Sequence, residues 1–213
     1  MRNLFVEAFI VITLFLSLIL LTGCDFSDKD KLPIALIATQ HGNIHIEIDT
    51  SNAPISANNF IAYVKAGQFN GSTFYRTVNP TNDNHPLTIT VLQGGINADF
   101  SNDFSAAYPP IAHESTKQTG LKHVRGAISF ARGNLGTAQT EFFISLQDNP
   151  ALDHGGLRHP DKQGFAVFGK VIKGMDIVDK IARLPSDKVH ADEYVNGQIL
   201  NDPVIISDIS IVH

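Results

Sequence analysis

From residue 32 onward the chain consists of short apolar runs broken by Gly, Asn and Pro, not of long amphipathic stretches. Pro33–Thr39 (PIALIAT) is apolar, Gln40–Asn43 (QHGN) predicts a turn, and Ile44–Asp49 (IHIEID) alternates strictly. A strand sends successive side chains to opposite faces, so Ile44, Ile46 and Ile48 share one face and His45, Glu47 and Asp49 the other. The segment reads as a hairpin with one wet side. Further strands are predicted at Ser72–Val78, Leu87–Gln93, Gly126–Arg132, Glu141–Gln147, Phe165–Val171 and Val204–Val212. Two segments carry the helical period instead. Ser56–Ala66 places Phe60, Ile61 and Val64 together, with Ser56 as N-cap and Gly67 as C-cap; Gly174–Leu184 groups Ile177, Val178 and Ile181 ahead of Pro185. Many short strands with two helices favour an antiparallel barrel or sandwich over a βαβ fold. The Gly- and Pro-rich stretches Asn79–Pro86, Gly133–Thr140 and Asp153–Gly164 read as loops.

The first 24 residues follow a different pattern. Arg2 precedes a run without charge from Ala8 to Leu21, which ends in Leu21-Thr22-Gly23-Cys24. The run is short for a bilayer span, and the small residues at its end predict a cleaved signal peptide over residues 1–23. Leu-Thr-Gly-Cys resembles the bacterial lipobox, which implies that Cys24 is lipidated and becomes the first mature residue. The alternative is an uncleaved signal anchor with a buried free cysteine; either way the following domain is exported and tethered. Asp25–Lys31 (DFSDKDK) is charged and has no apolar period, so residues 24–31 read as the lipidated cysteine and a linker. Seven extended residues span at most about 25 Å, which keeps the domain of residues 32–213 close to the membrane. The expected location is the periplasmic side of the cell envelope, with the bilayer as a partner through Cys24. Asp25 resembles the signal that keeps some bacterial lipoproteins in the inner membrane.

Composition narrows the function classes. The 213 residues are 43% apolar, enough for one well-buried core. A single cysteine rules out an intramolecular disulfide. A net charge of −5 without any Lys/Arg block argues against a nucleic-acid partner, because phosphate binding needs a clustered basic face. The closest histidine pairs are His41/His45 and His154/His159. No HExxH or Cys/His cluster occurs, so no metal site is expected and most histidines read as solvated.

Four ordered segments carry the chemistry: Asp49–Phe60 (DTSNAPISANNF); Gly71–Arg76 (GSTFYR) with Gln93-Gly94-Gly95; Gly126–Arg132 (GAISFAR) with Glu141–Ile144 (EFFI); and Leu152-Asp153 with Phe165–Asp176 (FAVFGKVIKGMD). Together they resemble the cyclophilin family of peptidyl-prolyl cis/trans isomerases over nearly the whole stretch from Leu32 to Val212. The resemblance implies a mainly β fold, a closed antiparallel eight-stranded barrel capped by two α-helices. It also implies a cofactor-free isomerase that acts as a monomer on proline-containing peptide segments. Arg76 would donate to the prolyl nitrogen, Gln93 would hold the guanidinium, and Phe143, Val91 and Leu152 would line the proline pocket with Phe165 at its rim. The backbone at Arg132 would anchor the substrate chain. Read on its own, Arg76 is an arginine in an alternating strand, and Gln93 ends a strand ahead of a Gly94-Gly95 turn. Phe142 and Phe143 must point to opposite faces, and the residues alone leave open which lines a pocket.

The chain departs from the family pattern at several places. Sixteen residues separate Arg76 from Gln93, more than the family carries there. Thr90 falls where a pocket phenylalanine is expected, and Ala151 where the family often has an aromatic that shapes cyclosporin binding. Glu141 replaces a glutamine near Arg76 and is expected to pair with its guanidinium. These departures leave a rival function, a proline-peptide binding module or holdase with weak or no isomerase activity.

Overall fold

The alternating isoleucines form the first hairpin of the computed structural model, which describes residues 31–97 and 107–212. Strands β1 (Ile34–Thr39) and β2 (Gly42–Ile48) pair antiparallel, and Ile44, Ile46 and Ile48 are fully buried. Six more strands follow: β3 (Thr73–Val78), β4 (Val91–Gly95), β5 (Ala127–Phe130), β6 (Glu141–Ser145), β7 (Ala166–Lys173) and β8 (Ile199–Val212). They close into one antiparallel barrel in the order β1-β2-β7-β5-β6-β4-β3-β8, so no strand edge is left open. The expected eight-stranded closed barrel is thus observed. The expectations for the signal segment, Cys24 and the linker as far as Asp30 lie outside the described residues.

Among the described residues three α-helices accompany the barrel, one more than expected: α1 (Pro54–Lys65), α2 (Thr116–Thr119) and α3 (Met175–Ala182). Helix α1 begins at Pro54, earlier than predicted, and Ser56 is not its cap. The first-turn N–H groups of Ile55 and Ser56 donate instead to the Glu114 carboxylate at 3.0 and 2.7 Å. An anion there complements the helix N-terminus as a local Ser would. Tyr63 is fully buried on α1 in the place expected of Ile61, which packs at the margin. The short α2 went unpredicted although Ser115 and Gln118 have the spacing of a capping box, and the Gln118 Oε1 accepts from the Ser115 N–H at 2.8 Å.

Inside the barrel the core is aromatic. Phe60 of α1 meets Phe142 edge-on at 5.8 Å and Phe168 at 5.1 Å, and Phe74 meets Phe142 edge-on at 5.9 Å. Phe142 is therefore the interior member of the Phe-Phe pair, and Phe143 belongs to a second apolar cluster outside the core. Gly94 and Gly95 form no turn; both continue β4. A Cβ on Gly94 would come within 2.7 Å of the Phe74 ring, and one on Gly95 within 2.3 Å of the Thr140 carbonyl oxygen. The glycines let neighbouring strands and an interior ring approach β4 closely.

The predicted strand at Leu87–Gln93 begins only at Val91. The N–H of Ile89 is taken by the Asp83 carboxylate at 2.9 Å, and the N–H and C=O of Thr90 by the Asn149 amide at 3.0 and 3.1 Å. Side chains thus take up both N–H groups, while the Thr90 carbonyl also accepts from the Leu146 N–H at 2.9 Å. At the other end of the chain β8 starts five residues before the predicted Val204 and runs through Pro203. Its pairing with β3 shifts register between Phe74↔Val204 and Arg76↔Ile199, so Pro203 sits at an irregularity where no ladder N–H is needed.

The placement of Phe142 predicts the cost of removing it. Phe142→Ala is expected to lower the unfolding free energy by about 3–5 kcal/mol, as for other buried aromatics cut to alanine. Urea unfolding measures this, and a loss below about 1 kcal/mol would contradict the interior position.

Candidate active site

A bulge in β3 sets the geometry of the outer face. Phe74 pairs with Gly94, but Arg76 pairs with Gln93, so Tyr75 and Arg76 together oppose one residue of β4. Strict alternation from the interior Phe74 would send Arg76 inward. The extra residue turns Arg76 and then Val78 outward, beside Gln93 and Val91. Gln93 in turn pairs with Phe143 of β6. Arg76, Gln93 and Phe143 thus lie on one rung across three strands, their side chains on the outer face.

The rung opens onto a cavity of about 340 Å³, at the small end of ligand-pocket volumes. Its lining includes every catalytic and substrate-binding residue predicted from the sequence: Arg76, Val91, Gln93, Arg132, Glu141, Phe143, Leu152 and Phe165. The apolar part is Val78, Ile89, Val91, Phe143 and Leu152, with Ala131 and Phe165 packed against them. Val78 and Ile89 were read only as strand residues, because nothing local in the sequence shows that they share a wall with Phe143 and Leu152. Thr90 and Ala151 are not among the lining residues, and Ile89 occupies the wall where an aromatic was expected next to Val91. Phe165 stands edge-on to Phe143 at 5.5 Å, and its N–H donates to the Leu152 carbonyl at 3.0 Å.

Arg76 does not pair with Glu141, contrary to expectation. Its Nη1 donates to Gln93 Oε1 at 3.0 Å, and its Nε and Nη2 donate to Gln198 Oε1 at 2.9 and 2.6 Å. The guanidinium lies over the Tyr194 ring at 5.3 Å. Three of the five N–H groups of an arginine are used, and one on each terminal nitrogen has no acceptor among the described residues. Gln198 and Tyr194 were invisible in the sequence, since no local pattern links positions more than a hundred residues apart.

Glu141 acts on Gln93 instead. Gln93 Nε2 donates to Glu141 Oε2 at 2.7 Å and to the Tyr75 hydroxyl at 2.6 Å; Tyr75 donates to Glu141 Oε2 at 2.5 Å, and Asn97 to Oε1 at 2.8 Å. Burial, reinforced by the adjacent Glu141, pushes the Tyr75 phenol far above its usual pKa, so it remains a donor. An ionised carboxylate only accepts, which forces the Gln93 NH₂ toward Glu141 and its oxygen toward Arg76. The carboxylate orients the amide without neutralising the cation directly.

Surrounding ion pairs hold the walls. The Arg158 guanidinium grips the Asp83 carboxylate at 2.7 and 2.9 Å, both side chains buried, and donates to the Leu87 carbonyl at 2.8 Å. Burial opposes ionisation of Asp83, but the bonds from Arg158 and the Ile89 and His85 N–H groups outweigh it and lower its pKa. The Arg132 side chain is tied to Asp161, at 2.8 and 2.9 Å, and lies over the Phe165 ring at 5.2 Å. Its hydrogen bond pulls Asp161 below the carboxylate range. No described residue bonds the main-chain N–H or C=O of Arg132.

One histidine departs from the solvated expectation. His123 is 2% exposed and stacks on Phe143 at 5.9 Å, beneath the pocket floor. Its Nδ1 lies 2.8 Å from Asp153 Oδ1, and since a carboxylate only accepts, Nδ1 carries the proton.

The chain matches the family model for cyclophilin type peptidyl-prolyl cis-trans isomerase/CLD over residues 34–210. It is 35% identical over 178 residues to peptidyl-prolyl cis-trans isomerase A of Dickeya dadantii, covering 83% of each chain. To a peptidyl-prolyl cis-trans isomerase of Acinetobacter baylyi it is 40% identical over 149 residues, covering 70% of this chain and 71% of the relative. Its fold is similar to the crystal structure of a cyclophilin type peptidyl-prolyl cis-trans isomerase of Cryptosporidium parvum. The TM-score is 0.66 at 23% identity, over 85% of this chain and 98% of the other. That protein has also been solved in the presence of the dipeptide Ala-Pro, with a TM-score of 0.65 at 23% identity over 84% and 99% of the two chains.

The buried His123 predicts a pH dependence of stability. Burial lowers its pKa below the ordinary 6.5, against the raising effect of Asp153. The unfolded chain therefore binds a proton first, and stability falls as the pH drops through 6.5 toward the folded value. Asp153 is opposed by burial but held low by its bonds from His123; its contribution is present above 3.8 and lost below. His113, lowered by burial, adds to the upper window. The unfolding midpoint is expected to decline with acid from about pH 6.5, and less steeply in His123→Asn, which keeps a donor to Asp153 without titrating. Equal slopes would contradict the assignment.

Proposed function

The chain belongs to the cyclophilin-type peptidyl-prolyl cis-trans isomerase family, and we propose that it catalyses cis/trans exchange at X–Pro bonds with Arg76 acting on the reacting amide. The observation that carries this reading is the state of Arg76. Two neutral amide oxygens hold a guanidinium at the edge of a cavity with one apolar wall, with N–H groups left over and, among the described residues, no carboxylate upon it. A binding module gains little from such an arrangement; an amide-twisting enzyme needs it.

Resonance opposes rotation about the X–Pro amide with a barrier of roughly 18–20 kcal/mol, which makes uncatalysed exchange take tens of seconds or longer. No bond need be made or broken. At the twisted transition state the prolyl nitrogen regains a localised lone pair, which a nearby N–H can bind and the planar forms cannot offer. The donor thus favours the transition state over both ground states. The proline ring is held against Phe143, Val91 and Leu152, with Val78 and Ile89 completing the wall. The unpaired main-chain groups of Arg132 hold an extended substrate by strand-like pairing. Glu141 and Tyr75 keep the Gln93 oxygen toward Arg76.

The uncharged run Ala8–Leu21 and Leu21-Thr22-Gly23-Cys24 support a further part of the reading. The protein acts as a monomer on exported proteins at the periplasmic membrane surface, tethered through a lipid on Cys24 and, from Asp25, at the inner membrane.

Arg76→Ala is expected to lower the exchange rate of an X–Pro peptide on the order of 10²-fold, the effect of deleting a transition-state donor, while leaving the unfolding midpoint near that of the parent. Exchange spectroscopy by NMR reads the rate. An unchanged rate removes Arg76 from the mechanism, and an inert parent protein favours the binding module or holdase.

For the anchor, Cys24→Ser is expected to keep its signal segment and to take up no labelled fatty acid in cells, while the parent is processed and labelled. Label on the variant would rule out Cys24 as the acceptor.

A further inference from the structure

The clasp on Arg76 has two arms, and the second comes from far along the chain. Gln198 Oε1 spans Nε and Nη2, while the same amide donates through Nε2 to the Asn82 carbonyl at 2.8 Å. A carbonyl only accepts, so Asn82 decides which way round the Gln198 amide sits. Asn82 is itself fixed: its Nδ2 donates to the Thr77 and Gly197 carbonyls at 3.1 and 2.9 Å, and its Oδ1 accepts from the Asn79 N–H at 2.8 Å. Asp83 follows immediately, buried against Arg158.

We propose that Gln198, oriented by the Asn82 carbonyl of the long loop between Arg76 and Gln93, is a positioning residue for X–Pro isomerisation. The proposal rests on the isomerase reading above and gives a task to the extra residues of that loop. With Gln93 alone the guanidinium is held at Nη1, one point about which a long side chain swings. An acceptor across the Nε–Nη2 edge removes that freedom and fixes the plane, and the Tyr194 ring covers one face. Both acceptors are neutral, so orientation is gained without loss of charge.

The consequence falls on rate and not on affinity. Proline binding depends on the apolar wall of Val91, Phe143 and Leu152, and Gln198 is not among the residues that line the cavity. The aim of Arg76 matters only as the amide twists, where a displacement of about 1 Å is costly. Loosening the second arm therefore lowers kcat and spares KM.

The test uses Gln198→Met, which keeps length and removes all three bonds of the amide, and Asn82→Ala, which releases the loop carbonyl without touching the amide. Gln198→Met is expected to lower kcat about tenfold, or ~1.4 kcal/mol of barrier, with KM within about twofold. The Arg76 Nε–H NMR signal, hydrogen-bonded in the parent, should lose its protection from solvent exchange. Asn82→Ala should act in the same direction, and the double variant should be no slower than the slower single one, since the two share a path. Parental kcat in Gln198→Met, additive losses, or losses that merely follow a falling unfolding midpoint would overturn the proposal. The Nε–H readout does not depend on turnover, and only an inert parent protein speaks against the isomerase reading itself.

Discussion

Tyr75 and Arg76 stand together opposite Gln93, and the site depends on that irregularity in the ladder. A regular β3 would carry Phe74 inward, Tyr75 outward and Arg76 into an interior already filled by phenylalanine rings, where an unpaired cation is prohibitively costly. The bulge sends Arg76 outward and brings Val78 to the same face. It also keeps Tyr75 within reach of Glu141 and Gln93, so the residue that breaks the alternation helps to support the one it displaces. Bulges recur beside active sites because they re-aim a side chain without dismantling the sheet.

A second regularity concerns charge. The carboxylates around the cavity each have their own donors: Asp83 has Arg158, Asp153 has His123, Asp161 has Arg132, and Glu141 has Tyr75, Gln93 and Asn97. Arg76 is left to two amides. Direct pairing with any of these anions would have oriented it equally well, but the attraction would have offset the positive charge that the proposed role of Arg76 requires. Interposing Gln93 between Arg76 and Glu141 separates orientation from neutralisation.

The legible part of this molecule was what a single strand or helix reveals about itself. Alternation placed Ile44, Ile46 and Ile48 inside, and the adjacency of Phe142 and Phe143 required one face each, though only the family resemblance picked Phe143 for the pocket. Misreadings arose where distant side chains override local pattern. Thr90 and Ile89 looked like strand residues until Asn149 and Asp83 took their backbone groups. Gly94-Gly95 looked like a turn because the sequence does not display Phe74 and Thr140 pressed against it. Arg76 and Glu141 were rightly put near each other, but the partner between them and the second amide at Gln198 were set by tertiary register. The capping box at Ser115 was readable, and it marked the helix that went unpredicted.

Strand β8 has a consequence for how such a protein comes into being. It is the last strand in the chain, yet it pairs with the first, β1, as well as with β3, and Gln198 immediately precedes it. Until the C-terminal residues arrive, the barrel is an open sheet with two bare edges and Arg76 lacks half of its clasp. A chain emerging from the ribosome thus carries an unfinished barrel until β8 has been made. The barrel closes when the two ends of the sheet meet, and truncation before Gln198 removes closing strand and clasp together.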